Sequence, residues 1–300
     1  MKFGLTLPYG PPSHPGAGDP EFTLRVVRRA EALGFESVWG GEHVVKAADY
    51  APLFPYAEDG RENQAMDAAY PDPLVWLSWL AGQTATIRLG TSVVVLPQRQ
   101  PVVLAKQIAT LDLFSGGRLI LGVGIGWQKE ESEACGFPFT DRGRRTDEFI
   151  GAMRALWTER EASFQGRWVE FDRLYCHPKP ARPGGPPILI GGHSPAAARR
   201  AGRLGDGMFA LVADPAGAAA IRTEMDAAAK DAGRDPAQLE LTVGRPPDVR
   251  AVRPSEVLDE VKAYRDAGAD RLILFRLFDT DPDALIAELE SFAGNVIERM

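Results

Sequence analysis

Short apolar runs alternate along the whole chain with longer segments in which apolar residues recur every three or four positions. The short runs are apolar at nearly consecutive positions, which is typical of parallel strands that are buried on both faces. The longer segments have the period of amphipathic helices. Glycines such as Gly34, Gly205 and Gly268 stand between a predicted helix and the next strand, where glycine favours the left-handed C-cap.

The pattern predicts a (β/α)₈ barrel of the TIM type. The predicted strands are Phe3–Leu7, Ser37–Trp39, Ile87–Leu96, Leu119–Val123, Ile188–Ile190, Met208–Leu211, Leu239–Val243 and Leu272–Phe275. The predicted helices are Phe22–Leu33, Pro73–Thr84, Val102–Leu113, Lys129–Cys135, Arg144–Trp157, Ala196–Leu204, Ala216–Ala232, Ser255–Ala267 and Pro282–Arg299. Eight strands, each followed by a helix, suit such a barrel, and an open doubly wound sheet is the alternative. No change in composition marks a boundary, so we expect one domain over residues 1–300.

Two stretches exceed the minimal strand–helix repeat. Val44–Tyr70 follows the second predicted strand, and Glu161–Pro187 precedes the fifth. Insertions of this length usually carry function or have structure of their own. The second contains Ala162–Phe171, whose alternation around Gly166 and Arg167 predicts a hairpin. The first follows a strand directly, so in a barrel it would lie on the catalytic face.

Composition and charge narrow the classes of function. The chain is 45% hydrophobic and 25% charged, and its net charge of -7 gives no reason to expect nucleic acid or an anionic membrane as a partner. No apolar run approaches the ~20 residues that span a membrane, and the first residues do not resemble a signal peptide. We therefore expect a cytoplasmic protein. The two cysteines and the other potential ligands have no metal-site spacing, so no metal is expected.

Glycines are concentrated just after the predicted strands, where a barrel carries its chemistry. Either tight turns or a flat ligand that approaches the backbone would explain them. Gly124 and Gly126 follow the fourth strand, but Trp127 stands where the dinucleotide fingerprint G-x-G-x-x-G needs its last glycine. The residues before the helix at Ala196 form a candidate phosphate site, with an ordinary N-cap as the alternative. They are Gly191, Gly192, His193 and Ser194.

His43 is the candidate catalytic residue. It is one of four histidines and lies beside Glu42, directly after the second predicted strand. Imidazole exchanges protons near neutral pH, so His43 could be a general acid or base, although a structural histidine is the alternative. We expect Glu42 to raise the pKa of His43 if the two side chains meet.

The motifs, in this order, resemble the luciferase-like monooxygenase superfamily, and most closely its branch that uses the deazaflavin coenzyme F-420. The resemblance extends from residue 1 to about residue 210. The matching segments are Gly34–Trp39, Glu42–His43, Leu89–Val93, Arg99–Pro101, Ala105–Gln107, Ser115–Arg118, Gly122–Trp127, Arg142–Arg145, Ile190–Gly192 and Gly205–Gly207.

The resemblance implies a barrel that holds the flat ring of the coenzyme across its carboxyl end. A non-proline cis peptide at Ser92–Val93 would support the ring, Gly124 and Gly126 would adjoin it, and the segment 191–194 would bind phosphate. Glu42 and His43 would face the reactive ring, with His43 assisting hydride transfer. The resemblance also implies a homodimer.

The sequence departs from the sugar-phosphate dehydrogenases of that branch at Trp127, where those enzymes have a carboxylate. Tryptophan cannot transfer a proton, so we expect Trp127 to line a substrate pocket with Tyr9 and Arg276 instead. The leading hypothesis is an oxidoreductase that transfers a hydride between coenzyme F-420 and a small organic substrate. The alternatives are an FMN-dependent monooxygenase served by a separate reductase and a cofactor-free barrel with a binding role.

Overall fold

The computed structural model describes residues 1–10, 16–51, 53–62, 64–244, 254–274 and 281–300. The strands are β1 Lys2–Thr6, β2 Ser37–Gly40, β3 Arg88–Thr91, β4 Val94–Val95, β5 Leu119–Gly124, β6 Ala162–Gln165, β7 Glu170–Leu174, β8 Ile188–Gly192, β9 Gly207–Ala210, β10 Glu240–Val243 and β11 Arg271–Leu274. The helices are α1 Pro20–Ala32, α2 Pro73–Ala81, α3 Pro101–Phe114, α4 Lys129–Ala134, α5 Arg142–Thr158, α6 Pro195–Leu204, α7 Pro215–Asp231, α8 Pro254–Asp266 and α9 Pro282–Asn295. Single 3₁₀ turns lie at Leu96–Gln98, Pro236–Gln238 and Ile297–Arg299.

The sheet closes into a parallel barrel. Neighbouring strands follow the order β3-β2-β1-β11-β10-β9-β8-β5, and the pairing of β3 with β5 closes the ring. β3 and β4 are two parts of one barrel strand, because both pair in parallel with β5. The predicted (β/α)₈ barrel is therefore confirmed, and the open sheet is excluded. The carboxyl ends of all these strands face the same way, and we call that end the mouth and the opposite end the floor.

The inside of the barrel has its own apolar cluster, separate from the larger core between strands and helices. Trp39 is its largest member and is fully buried, and its Nε1 donates a hydrogen bond to Ser37 Oγ at 2.8 Å. A Cβ atom at Gly90 would lie 2.3 Å from the indole ring, so β3 needs glycine there. The other members are Ile120, Leu189, Phe209 and Ile273, with Val93 and Leu211 packed against them.

The insertions and strand ends refine the prediction. β6 and β7 pair antiparallel, which confirms the hairpin predicted around Gly166. The third predicted strand is interrupted, because β3 ends at Thr91 and β4 resumes at Val94. The last helix ends at Asn295, before a 3₁₀ turn. Phe275, predicted to end the eighth strand, lies outside the described residues. Within the ranges described above, no helix has both the length and the apolar character needed to cross a membrane.

Candidate active site

Val93 lies at the break between β3 and β4 and packs against the apolar cluster inside the barrel. The peptide bond between Ser92 and Val93 is cis, as the resemblance led us to expect. The Val93 side chain explains two of the glycines on the neighbouring strands: a Cβ at Gly124 would lie 2.5 Å from its Cγ2, and one at Gly191 would lie 2.7 Å from its Cγ1. These glycines therefore make room for the Val93 side chain, and their contact with a cofactor stays a prediction.

Gly126 and Gly192 have backbone conformations that favour glycine. Gly126 has φ +77°, and a Cβ atom there would lie 2.8 Å from Val95 Cγ1. Gly192 has φ +143°, and its Cβ would lie 2.9 Å from the Cβ of Ala197. A side chain at Gly192 would therefore strain the backbone as well as occupy space, so this position cannot test ligand binding separately from folding.

Glu42 is almost completely buried, and protein groups bind its carboxylate, so the expectation that it faces a cofactor stays a prediction. Its side chain is about 1% exposed and is ion-paired with Arg99, whose Nε donates to Glu42 Oε1 at 2.8 Å. The other carboxylate oxygen accepts a hydrogen bond from the Val95 backbone N–H. Arg99 also contacts Asp72 at 2.7 Å, the residue that caps α2. Glu42 therefore ties the second barrel strand to the third and does not meet His43.

His43 lies among carboxylates that are distant in sequence. Its side chain is about 10% exposed, and Nδ1 lies 3.0 Å from Glu131 Oε2 on α4. Nε2 lies 3.6 Å from Glu62 Oε1 in the long insertion. Glu62 also forms an ion pair of 2.7 Å with Lys46, and both side chains are nearly buried. These four residues, His43, Lys46, Glu62 and Glu131, are called the mouth cluster below.

The charges of the mouth cluster stabilise one another. Burial opposes the charged imidazole, but the hydrogen bond with Glu131 and the negative charges of Glu131 and Glu62 outweigh it and raise the pKa of His43 to about 9. Burial likewise opposes the Glu62 carboxylate, yet His43 and Lys46 lower the pKa of Glu62 to about 2. The predicted rise in the pKa of His43 is present, but Glu42 is not its cause.

Aromatic rings surround the mouth cluster. Trp127 packs edge-on against His43, with ring centroids 5.9 Å apart. Its indole also contacts Tyr50 and Phe54 of the insertion, each at 5.2 Å. Tyr70 packs edge-on against His43 at 5.2 Å. The structure thus places Trp127 in an aromatic wall beside His43 with rings from the insertion, and its role in a substrate pocket stays a prediction.

Tyr9, which follows β1, extends this wall. Its ring stacks on Tyr70 with centroids 4.2 Å apart, and its hydroxyl accepts a hydrogen bond from the Gly41 N–H at 2.5 Å. Burial raises the pKa of Tyr9 to about 12, so the phenol stays protonated. The hydroxyl oxygen accepts from the backbone, and its own O–H is left to donate. Arg276, the third predicted pocket residue, lies outside the described residues.

The predicted phosphate segment leads into the N-terminus of α6. Ser194 caps this helix, with its Oγ accepting from the Ala197 N–H at 3.3 Å, and Pro195 is the first helical residue. His193 is exposed and packs edge-on against Tyr56 at 5.0 Å. Four other helices begin with an aspartate cap followed by proline, whereas the cap of α6 is neutral and its first turn holds no acidic residue. The N-terminal dipole of α6 is therefore not offset by a carboxylate of its own.

Sequence reasoning missed Glu131, Glu62 and Lys46. Glu131 belongs to a segment that was predicted as a helix, but its periodicity does not show which acidic residue faces the mouth. Glu62 and Lys46 belong to an insertion without helix or strand in its described residues. The only available signal was the position of that insertion, directly after a barrel strand and rich in tyrosine.

Comparison with known families and curated proteins gives consistent results. The family model described as luciferase-like monooxygenase matches residues 1–296. An uncharacterised protein of Mycobacterium tuberculosis is 30% identical over 299 residues, which cover 93% of this chain and 96% of that protein. An F-420-dependent glucose-6-phosphate dehydrogenase of Amycolatopsis mediterranei is 34% identical over 185 residues, which cover 60% of this chain and 50% of the dehydrogenase.

A solved structure shares the fold at lower sequence identity. It is the oxygenating constituent of the 3,6-diketocamphane monooxygenase of Pseudomonas putida, a type II Baeyer–Villiger monooxygenase in complex with FMN. Its TM-score is 0.76 at 17% identity, and the alignment covers 100% of this chain and 99% of that one. At this identity the likeness supports the barrel fold.

Proposed function

The chain belongs to the luciferase-like monooxygenase family, a family of enzymes, and on that premise we propose that it is a coenzyme F-420-dependent oxidoreductase. The reaction would transfer a hydride between the deazaflavin and a small organic substrate. The observation that carries the proposal is His43 at the mouth, held between two carboxylates where hydride transfer to or from a carbon–oxygen bond needs an acid–base group. The name of the Amycolatopsis relative supports the choice of cofactor.

The residues at the mouth fit such a coenzyme. Val93 is only partly buried and stands over the apolar interior cluster, where it would support a flat ring. The Ser92 Oγ is buried without a hydrogen-bond partner among the described residues, so a polar ring atom would satisfy it. The N-terminus of α6 would receive a phosphate through its free N–H groups and uncompensated dipole. The coenzyme itself supplies the hydride chemistry.

The protein's own residues have three tasks in this mechanism. His43 exchanges a proton with the substrate oxygen while the carbon beside it gains or loses hydride. Trp127, Tyr50 and Phe54 form an apolar wall that excludes water from this position. Because this wall has Trp127 where the sugar-phosphate dehydrogenases have a carboxylate, it favours a small apolar organic compound over a sugar phosphate.

A binding titration of the purified protein with coenzyme F-420 and with FMN tests the proposal. We expect saturable binding of coenzyme F-420 at micromolar concentration or below, and weaker binding of FMN. Tighter binding of FMN would instead support the monooxygenase, which agrees with the fold of the FMN-bound neighbour. If neither compound bound at micromolar concentration, the proposal would be wrong and the cofactor-free barrel would replace it.

A further inference from the structure

Glu131 uses both carboxylate oxygens to fix the position of His43. Oε2 lies 3.0 Å from His43 Nδ1, and Oε1 accepts a hydrogen bond of 2.6 Å from the backbone N–H of Val44. The Glu131 side chain is about 3% exposed. The carboxylate therefore holds the ring and the backbone beside it at once, from a helix that is separate in sequence from both.

The contacts of His43 determine where its protons lie. A carboxylate only accepts hydrogen bonds, so Nδ1 must carry a proton toward Glu131. Nε2 is 3.6 Å from Glu62, which is longer than a hydrogen bond. The charged groups that face His43 are Glu131 from α4 and the Lys46–Glu62 pair from the insertion. The Tyr70 hydroxyl, which is neutral, lies 3.3 Å from Glu62.

Charge balance favours a proton on Nε2 as well. With His43 neutral, the two carboxylates and Lys46 would leave one uncompensated negative charge in a nearly buried cluster. With His43 charged, two positive and two negative groups balance. Unpaired buried charge is costly, so the doubly protonated ring suits these surroundings.

We propose that Glu131 is a positioning residue that keeps His43 protonated on both nitrogens, so that Nε2–H is the proton donor of the site. Its catalytic meaning rests on the proposed function. The coenzyme would supply a hydride, and a carbonyl carbon that accepted it would shift the π-electron pair of its bond onto oxygen. Nε2–H then gives its proton to this oxygen, an alcohol forms, and neutral His43 regains a proton from solvent. The mouth is thus arranged for substrate reduction, in which His43 donates a proton, more than for oxidation, which needs a free base.

The test follows the ring signals of His43 by NMR from pH 5 to 10, in the protein without coenzyme, with His43→Asn to identify them. We expect a midpoint near 9 in the unaltered protein. Glu131→Gln should lower the midpoint by about one unit or more, because an amide can donate to Nδ1 of a neutral ring. Glu130→Gln is the matched control. Glu130 lies on the same helix as Glu131 but accepts a hydrogen bond from the Ala51 N–H, so loss of its charge should leave the midpoint unchanged.

A midpoint near 6.5 in the unaltered protein, or one that Glu131→Gln leaves in place, would overturn the proposal. If Glu131→Gln fails to fold, Glu62→Gln is the second variant: it should lower the midpoint by a smaller amount, and no change would overturn the charge-balance argument. In the enzyme loaded with coenzyme, Glu131→Gln should move the alkaline limit of kcat to lower pH and leave KM little changed. The titration needs no coenzyme, so failure of cofactor binding and failure of this proposal are separate results.

Discussion

The floor and the mouth of the barrel both contain buried ion pairs, but they are built differently. At the floor, Arg271 is fully buried and its guanidinium contacts Glu36 at 2.8 Å, Thr242 at 2.9 Å and Glu240. These residues belong to strands or directly precede one. At the mouth, the cluster around His43 comes from a long insertion and from the short helix α4. The floor is thus held by residues in or next to barrel strands, whereas the mouth cluster combines an insertion and a short helix around a titratable ring.

This difference teaches what each network can do. Burial opposes ionisation at the floor, but Arg271 lowers the pKa of Glu36 and of Glu240, so these groups keep their charges near neutral pH. At the mouth, by contrast, the pKa of His43 is about 9, so its protonation can change within a pH range that the protein can be studied in. In barrel enzymes the amino-terminal end contributes stability and the carboxyl end carries chemistry, and the two networks agree with that division.

The largest expected effect is on stability, from Arg271→Met at the floor. It leaves Glu36 and Glu240 buried without their shared partner, and we expect the free energy of unfolding in urea to fall by about 3–5 kcal/mol. Arg25→Met is the matched control, because the Arg25–Asp283 pair is largely exposed and should contribute less than about 1 kcal/mol. Equal losses in the two variants would contradict a structural role for the floor network.

The second prediction concerns pH and the mouth. Because the pKa of His43 is raised from 6.5 to about 9 in the folded protein, its charged form stabilises the fold. That contribution is complete below pH 6.5 and is lost as pH rises through 9, and it amounts to roughly 3 kcal/mol at most. Urea unfolding at pH 6 and pH 9.5 should show this loss in the unaltered protein and not in His43→Asn. Identical pH dependence in both would show that His43 is not held charged.

The third prediction separates the two neighbours Glu42 and His43. Glu42→Gln should lower the free energy of unfolding by about 1.5–3 kcal/mol, because it weakens a buried, charged hydrogen-bond network with Arg99. Coenzyme affinity should stay the same, since both carboxylate oxygens of Glu42 are already bound by Arg99 and the Val95 N–H. Exposed Glu58→Gln is the control and should change stability by less than about 0.5 kcal/mol. Weaker coenzyme binding with unchanged stability would restore the original prediction for Glu42.

The smallest expected effect comes from Ala196→Asp in the first turn of α6. The new carboxylate interacts favourably with the helix dipole and should stabilise the protein by a few tenths of a kcal/mol. It should also repel a bound phosphate. We expect about a tenfold rise in the coenzyme Kd, as one added like charge near the surface implies. Ala216→Asp is the matched control on α7, where the carboxylate of Asp214 already caps the helix. Equal effects of the two substitutions on Kd would contradict the assignment of the phosphate site to α6.

The sequence alone determined the barrel and many of the boundaries of its strands and helices. Continuous apolar runs, helical periodicity, prolines at helix starts and glycines at their ends are local signals, because each acts within a few residues. The order of the motifs carried the resemblance to the family, and that resemblance implied the cis peptide at Ser92–Val93. His43 was found by its place after a strand, since the fold fixes which end of each strand carries function.

Only the tertiary structure decided which carboxylates meet His43. Glu42 is its neighbour in sequence, but the Glu42 side chain is ion-paired with Arg99 instead. Glu131, 88 residues away, reached the ring because α4 turns its first-turn carboxylate toward the mouth. Closing the barrel brings such distant segments together. Neither hydrophobic periodicity nor the residue next in sequence predicts which of them will be in contact.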